Sequence, residues 1–254
     1  MKEMREEPML PERGSGGERT REFTVEVIIP TARFVFSVAG GRVDVLPQHD
    51  SPQAFRDYRA LKEERTVVGM TTFPNTVLLR GPRTILVDPG LDLQNQPVVG
   101  ALADRGLAPG DLDLVLLTHA HGDHVGGVVD LDPDTPVVVH EAELRDPLWP
   151  VVSGMLGGRA LQTLTGSEGE LLPGLHWLHT PGHSEGSVSF LVETARGLVV
   201  LAGDTVGPLP EDFAAMRAPW PGSAGEQLVA AWRRLRALDP ALIVPGHVPP
   251  FRPE

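Results

Sequence analysis

The stretch that most constrains this chain is LDLVLL (112–117), followed at once by THAHGDHVGG. A near-continuous apolar run of this length is the mark of a strand buried on both faces. Where it stops, His119, His121, Asp123 and His124 put four potential metal ligands into six residues. His119 and His121 alternate by two and share one side while the chain is extended. Gly122 then turns the backbone, so that Asp123 and His124 can point to a second centre nearby. Three imidazoles and a carboxylate this close are costly unless something pairs them, and a divalent cation does so. A helix cap made by Thr118 or Asp123 beside solvated histidines would account for one histidine, but not for this spacing after a buried strand.

Composition narrows what such a centre can be. Cysteine is absent, which removes disulfides, a thiol nucleophile, iron–sulfur clusters and thiolate zinc sites. Any bound metal must therefore be held by imidazole nitrogen and carboxylate oxygen, and the nine histidines become the residues to follow. With 254 residues, 41% of them hydrophobic, the chain can bury a large core and is neither disordered nor fibrous. Its net charge of −12 disfavours a broad surface for phosphate backbones, so a nucleic acid is the less favoured partner and a small molecule the favoured one. No apolar run approaches the ~18 residues that cross a bilayer. Residues 1–22 are polar, interrupted by Gly and Pro, and lack an apolar h-region. They are expected to be a flexible tail, not needed for folding, with the protein cytoplasmic.

From Phe23 onward strands alternate with helices in two successive halves. FTVEVII and RFVFSV read as strands, and SPQAFRDYRALKEER as a helix opened by Ser51 and Pro52. NTVLLRGPRTILVDPG reads as a hairpin turning at Gly81-Pro82, with Asp88 at a strand end. Residues 93–105 read as a short helix stopped by Gly106, and PVVVH as a strand. Residues 146–174 show no firm period and are expected to be a long loop or lid with a broken helix. GLHWLHT, SVSFLVET and GLVVLAGD give three more strands. SAGEQLVAAWRRLRAL is an amphipathic helix with a capping box from Ser223 to Glu226, and LIVPGH ends the pattern. The expectation is a single α/β domain over 23–254, two packed sheets with helices outside.

His183 in HTPGHSEGS, Asp204 in VVLAGDT and His247 in IVPGH repeat the situation at 119–124: a ligand type at or near a strand end. Alone each is an ordinary loop or cap residue. Together with Asp88 and the HxHxDH run, in this order, they resemble the motifs of the metallo-β-lactamase superfamily across essentially all of 23–254. The resemblance implies an αββα sandwich of two mixed sheets and two divalent metal ions, zinc before iron or manganese. The first would be held by His119, His121 and His183, the second by Asp123, His124 and His247. Asp204 would bridge the two, and Asp88 would stand behind the ligands. It also implies a metal-dependent hydrolase whose bridging hydroxide cleaves an ester, thioester, lactone or related bond, with Asp123 as the catalytic residue that orients or relays a proton.

Within the superfamily, GLAPGDLDLVLLTHAHGDHVGG, VVLAGDT and IVPGHVPPFR look like the branch that contains metallo-β-lactamase domain-containing protein 1. An animal member of that branch is associated with nuclease activity on RNA, so a phosphodiester of RNA or a nucleotide is the second reading. A mononuclear iron enzyme of the persulfide dioxygenase kind is a third. Acyl-homoserine lactonases place a tyrosine after the bridging Asp, whereas the only tyrosine here is Tyr58. His140 is expected to play a hydrogen-bonded structural role. His49, His176 and His179 receive no function. Substrate choice is expected to rest with the segments 47–75, 146–174 and 207–222.

Overall fold

In the computed structural model, residues 22–39, 42–48, 66–91, 97–207 and 209–253 are described. In chain order, the first half comprises β1 (Thr24–Ile29), β2 (Ala32–Ala39), β3 (Arg42–Gln48), β4 (Thr66–Phe73), β5 (Thr76–Arg80), β6 (Thr84–Val87), α1 (Pro97–Ala103), β7 (Leu114–Leu116), α2 (Gly122–Val125), β8 (Val137–His140), α3 (Trp149–Met155) and β9 (Leu161–Leu164). The second comprises β10 (Glu168–Leu172), β11 (Leu175–His179), β12 (Val188–Thr194), β13 (Gly197–Gly203), α4 (Pro210–Ala214), α5 (Ser223–Ala237) and β14 (Leu242–Pro245). One sheet has the order β1-β5-β6-β7-β8-β9 and the facing sheet β10-β11-β12-β13-β14. Both are mixed: β6 to β9 run parallel after an antiparallel start, and β14 runs parallel to β13 after an antiparallel meander.

The two-residue alternation of strands sorts the apolar side chains into three layers. Between the sheets lie Val77, Leu79, Ile85, Val87, Leu114 and Leu116 from one side and Trp177, Phe190, Val192, Leu201 and Val244 from the other. Leu78, Leu86, Val115 and Val139 face outward onto α1, α2 and α3 through Val98, Leu102, Val125 and Val152. Val200, Ala202 and Ile243 face the other way, onto Phe213 of α4 and Leu228, Trp232 and Leu235 of α5. Two sheets back to back with helices on both outer faces are the architecture expected from the resemblance. The apolar run 112–117 is indeed buried on both faces, with Leu114 and Leu116 turned to one layer and Val115 and Leu117 to the other.

Four expectations are corrected in detail, and others fall outside the described residues. The segment 146–174, expected to be a lid, contains α3 and the strands β9 and β10, which end the two sheets on one side. Edge strands with one wet face need no continuous apolar pattern, and LQTL and EGELL are mostly exposed or half-buried, so their period is weak. The segment 47–75 likewise contains β4, which pairs with β2 in a three-stranded sheet β3-β2-β4 that was not foreseen. Helix α5 begins at Ser223, and Gly222 at φ +84° is its N-cap, with no side-chain cap bond. Pro221-Gly222 delivers the chain at a positive φ that a serine tolerates poorly, so the capping place falls one residue early. Helix α1 ends at Ala103 against an expected 105, and its expected start at 93 lies outside the described residues. The expected helix at 51–65, His49, Tyr58 and the tail before Glu22 lie outside the described residues.

Candidate metal centre

Parallel pairing brings strand ends of like sense to one edge of the sandwich, and the potential ligands are there. Asp88 follows β6, Thr118 and His119 follow β7, Asp204 follows β13 and His247 follows β14; His183 sits in the turn between β11 and β12. The edge is stitched across the two sheets, where Val188 N–H donates to the Thr118 carbonyl at 2.8 Å, and within the second sheet, where Gly246 N–H donates to that of Gly203 at 2.8 Å. Gly246 is needed for close approach, because a Cβ there would collide with Asp204 Oδ1 and stand 3.0 Å from His124 Cε1.

All seven predicted ligands meet at this edge. Their nitrogen and oxygen atoms form three groups, His119/His121/His183, His119/His124/Asp204 and Asp123/His124/His247, each with its ligand atoms within 4.8 Å of one another. His183 Nε2 lies 3.0 Å from His121 Nδ1, and His124 Nε2 lies 3.3 Å from His247 Nε2. Asp204 stands between the sets. Its Oδ1 is 3.3 Å from His124 Nε2, and its Oδ2 is 3.3 Å from His183 Nε2 and 3.4 Å from His247 Nε2. His247 Nε2 is also 3.2 Å from Asp123 Oδ2.

The residues behind this cluster decide which atoms face it. Asp88 Oδ1 accepts from Thr118 N–H at 2.8 Å, and Asp88 Oδ2 accepts from the Thr118 hydroxyl at 2.7 Å. A hydroxyl has one proton, so the remaining contact, 3.1 Å to His119 Nδ1, has the imidazole as donor. That tautomer turns the Nε2 lone pair of His119 into the cluster, where it is buried with no hydrogen-bond partner. Asp88 Oδ2 also accepts from His124 Nδ1–H at 2.8 Å, leaving His124 Nε2 inward. Asp204 Oδ1 is likewise buried without a hydrogen-bond partner. Orphaned inward lone pairs on carboxylate and imidazole suit a divalent cation held by N and O donors, so the residues fit the group that the resemblance implies.

The electrostatics report how crowded the site is. Burial, reinforced by its charged neighbour His124, holds His119 well below the ordinary histidine range, and burial also lowers His183. Burial opposes the charged form of His247 too, but Asp204 and Asp123 outweigh it and raise the group to about 9. His124 is raised well above its usual value by Asp204 and Asp88 against the same opposition. Burial would raise Asp204, yet His247 and His124 keep it well below the carboxylate range, so it is ionised at neutral pH.

Other residues entered the site without a signal in the sequence. Asn75, fully buried, donates through Nδ2 to the carbonyls of Pro245 (2.7 Å) and Val248 (2.8 Å), and its own N–H donates to that of Gly246 at 2.7 Å. It thus fixes the turn that carries His247. Glu143 binds the loops on the other side, and the Trp220 ring lies 6.3 Å from that of His183. His140, by contrast, has both nitrogens engaged. Nε2–H donates to the Gly166 carbonyl at 3.0 Å, Nδ1 accepts from Ala142 N–H at 3.2 Å, and the ring stacks on His179 at 4.2 Å.

The profile described as the metallo-beta-lactamase superfamily matches residues 70–247. "Metallo-beta-lactamase domain-containing protein 1" of Homo sapiens is 38% identical over 179 residues, covering 68% of this chain and 60% of that protein. The chain therefore spans about three fifths of the length of that relative. An "N-acyl homoserine lactonase" of Bacillus sp is 29% identical over 159 residues, covering 59% of this chain and 61% of the relative. Among solved structures, a putative metallo-beta-lactamase from Thermotoga maritima superposes with a TM-score of 0.62 at 21% identity, covering 91% of this chain and all of the other. That likeness speaks for the fold alone.

Proposed function

The chain belongs to the metallo-β-lactamase superfamily, and we propose that it is a metal-dependent hydrolase that uses two divalent cations to cleave an ester, thioester, lactone or related bond of a small molecule. The observation that carries the reading is Asp204. Its two oxygens reach His124, His183 and His247 at 3.3–3.4 Å, so one half-buried, ionised carboxylate faces both halves of the cluster. In this reading His119, His121 and His183 hold one cation and Asp123, His124 and His247 the other, with Asp204 shared. Such a pair would lower the pKa of a shared water toward neutrality and polarise the bond to be cut.

The chain's own groups supply the rest. Asp123 remains ionised: burial raises it, but the hydrogen bond from His247 and the charges of His124 and His247 together outweigh burial. It is the group able to take up a proton at the mouth of the site. Trp220 beside His183, and Met155, whose Cε is 3.9 Å from the place of a Gly122 side chain, give the site apolar flanks suited to a small organic acyl group. The relative named as a lactonase agrees with a carboxylic ester, and the charge of −12 weighs against a nucleic-acid strand. All the ligands of a dinuclear set are present, which a mononuclear iron oxygenase would not require.

Elemental analysis of protein purified without added metal tests the reading, paired with turnover on a panel of lactones, thioesters, aryl esters and phosphodiesters. The expected result is close to two divalent ions per chain, mostly zinc, with cleavage of carboxylic esters ahead of phosphodiesters. One iron per chain with an O₂-dependent activity would overturn it, and phosphodiesters as the best substrates would overturn the substrate class.

A further inference from the structure

We propose that Glu143 is a positioning residue that locks the loop carrying His119 and His121 to the loop carrying His183, and thereby sets the affinity of that one cation position; the inference rests on the dinuclear reading above. Glu143 lies in the short 3-10 turn Glu141–Arg145 after β8 and has no solvent exposure. Its Oε2 accepts from Ala120 N–H at 2.7 Å, the peptide group between two of the ligands. Its Oε1 accepts from the Ser184 hydroxyl at 2.5 Å and from Gly186 N–H at 2.8 Å, in the turn that follows His183. Ser184 is held in turn by Ser187, whose Oγ lies 2.6 Å from the Ser184 hydroxyl and accepts Ser184 N–H at 3.1 Å.

Burying a carboxylate is costly, and here each oxygen is compensated by donors from a different ligand loop. The space is cut to match: a Cβ on Gly186 would stand 2.5 Å from Glu143 N and 2.7 Å from its Oε1, so residue 186 must be glycine for the carboxylate to sit there. Chemistry also forbids the neutral isostere. Backbone N–H donors approach both oxygens, so the amide of a glutamine sets an N–H against either Ala120 N–H or Gly186 N–H in both orientations. The bonds of Glu143 reach one ligand set only. On the other side His124 is held by Asp88, and the His247 turn by Asn75. Loosening Glu143 should therefore act on one cation and spare the second.

The test is a stepwise Zn²⁺ titration of the metal-free full chain against a chromophoric chelator, with the thermal midpoint of the metal-free form measured alongside. His183→Ala identifies the step that belongs to the His119/His121/His183 position. Glu143→Gln should weaken that step roughly tenfold to a hundredfold, the usual cost of losing a group that orients metal ligands. The other step should stay within about twofold, because Glu143 makes no contact there. Ser184→Ala, which leaves the two backbone donors, should weaken the same step by less, and it decides the matter alone if Glu143→Gln does not fold. Equal weakening of both steps with a lowered metal-free midpoint, or no change in either, would overturn the role of Glu143. A wild-type chain that binds only one Zn²⁺ would overturn the dinuclear reading and, with it, this inference.

Discussion

Asp88 sits at φ +49°, a left-handed conformation that a residue with a side chain occupies at some cost, typically ~1–3 kcal/mol. What it gains is one carboxylate that orients two imidazoles, His124 directly and His119 through Thr118. The same scale separates residues that look alike in the sequence. Asp204 and His140 both end or follow apolar strands, yet Asp204 keeps a buried oxygen without a hydrogen-bond partner while His140 uses both nitrogens on backbone groups. Asp204→Ala should therefore lose at least one metal and most hydrolytic activity. Asp204→Asn, nearly the same shape, should lose much of both, because a neutral amide is a poor bridge. His140→Ala should keep full metal content, at a stability cost of about 1–3 kcal/mol from lost hydrogen bonds. Metal content and turnover of the three variants check this; an Asp204→Ala chain with full metal and normal rate would refute the shared-carboxylate assignment.

At the scale of elements, the site depends on parallel pairing of β13 with β14, whose ends place Asp204 and His247 side by side. The pairing closes through Gly246, whose N–H bonds back to the Gly203 carbonyl. Helix α5 braces the same corner, because Trp232 Nε1–H donates to the carbonyl of Thr205, next to Asp204. Gly246→Ala should push its methyl group against Asp204 Oδ1 and against His124. The expected outcome is a cooperative unfolding transition with metal affinity reduced by tenfold or more. Circular dichroism with chelator competition reads the two effects separately. Unchanged metal affinity would show that the turn relaxes away from the carboxylate.

For the whole molecule, the cluster is a stability problem that, in the dinuclear reading, bound cations would solve. Two buried atoms that face the cluster lack hydrogen-bond partners at this edge: His119 Nε2 and Asp204 Oδ1. An ion that binds only the folded chain adds about 2.7 kcal/mol at a hundredfold excess over its Kd. A chain of this size shifts roughly 2–4 °C per kcal/mol, so removing two ions with a chelator should lower Tm by on the order of 10 °C. Adding back Zn²⁺ should restore it, as followed by differential scanning calorimetry. A midpoint indifferent to chelator would mean that the buried lone pairs are not answered by a cation. Among the described residues, no helix is long and apolar enough to cross a membrane.

The sequence by itself determined the local terms. The apolar run at 112–117 specified a doubly covered strand because both alternating sets of its side chains need burial. HxHxDH could be read as a ligand cluster because its residues are near neighbours along the chain, and the resemblance ordered Asp88, His183, Asp204 and His247 around it. Tertiary structure alone decided what depends on partners far apart in sequence. The edge strands β9 and β10 carry little apolar pattern, since one face of each is wet, and only their neighbours make them strands. Ser223 passed its capping place to Gly222 because the preceding turn enters at positive φ. Asn75 lies 170 residues from Pro245, and Glu143 lies 41 from Ser184. Each satisfies backbone or hydroxyl groups that reach it only once the two sheets have packed. Hydrogen-bond partnership is a property of the folded arrangement, so a buried Asn or Glu in a short turn looks like any surface residue until that arrangement exists.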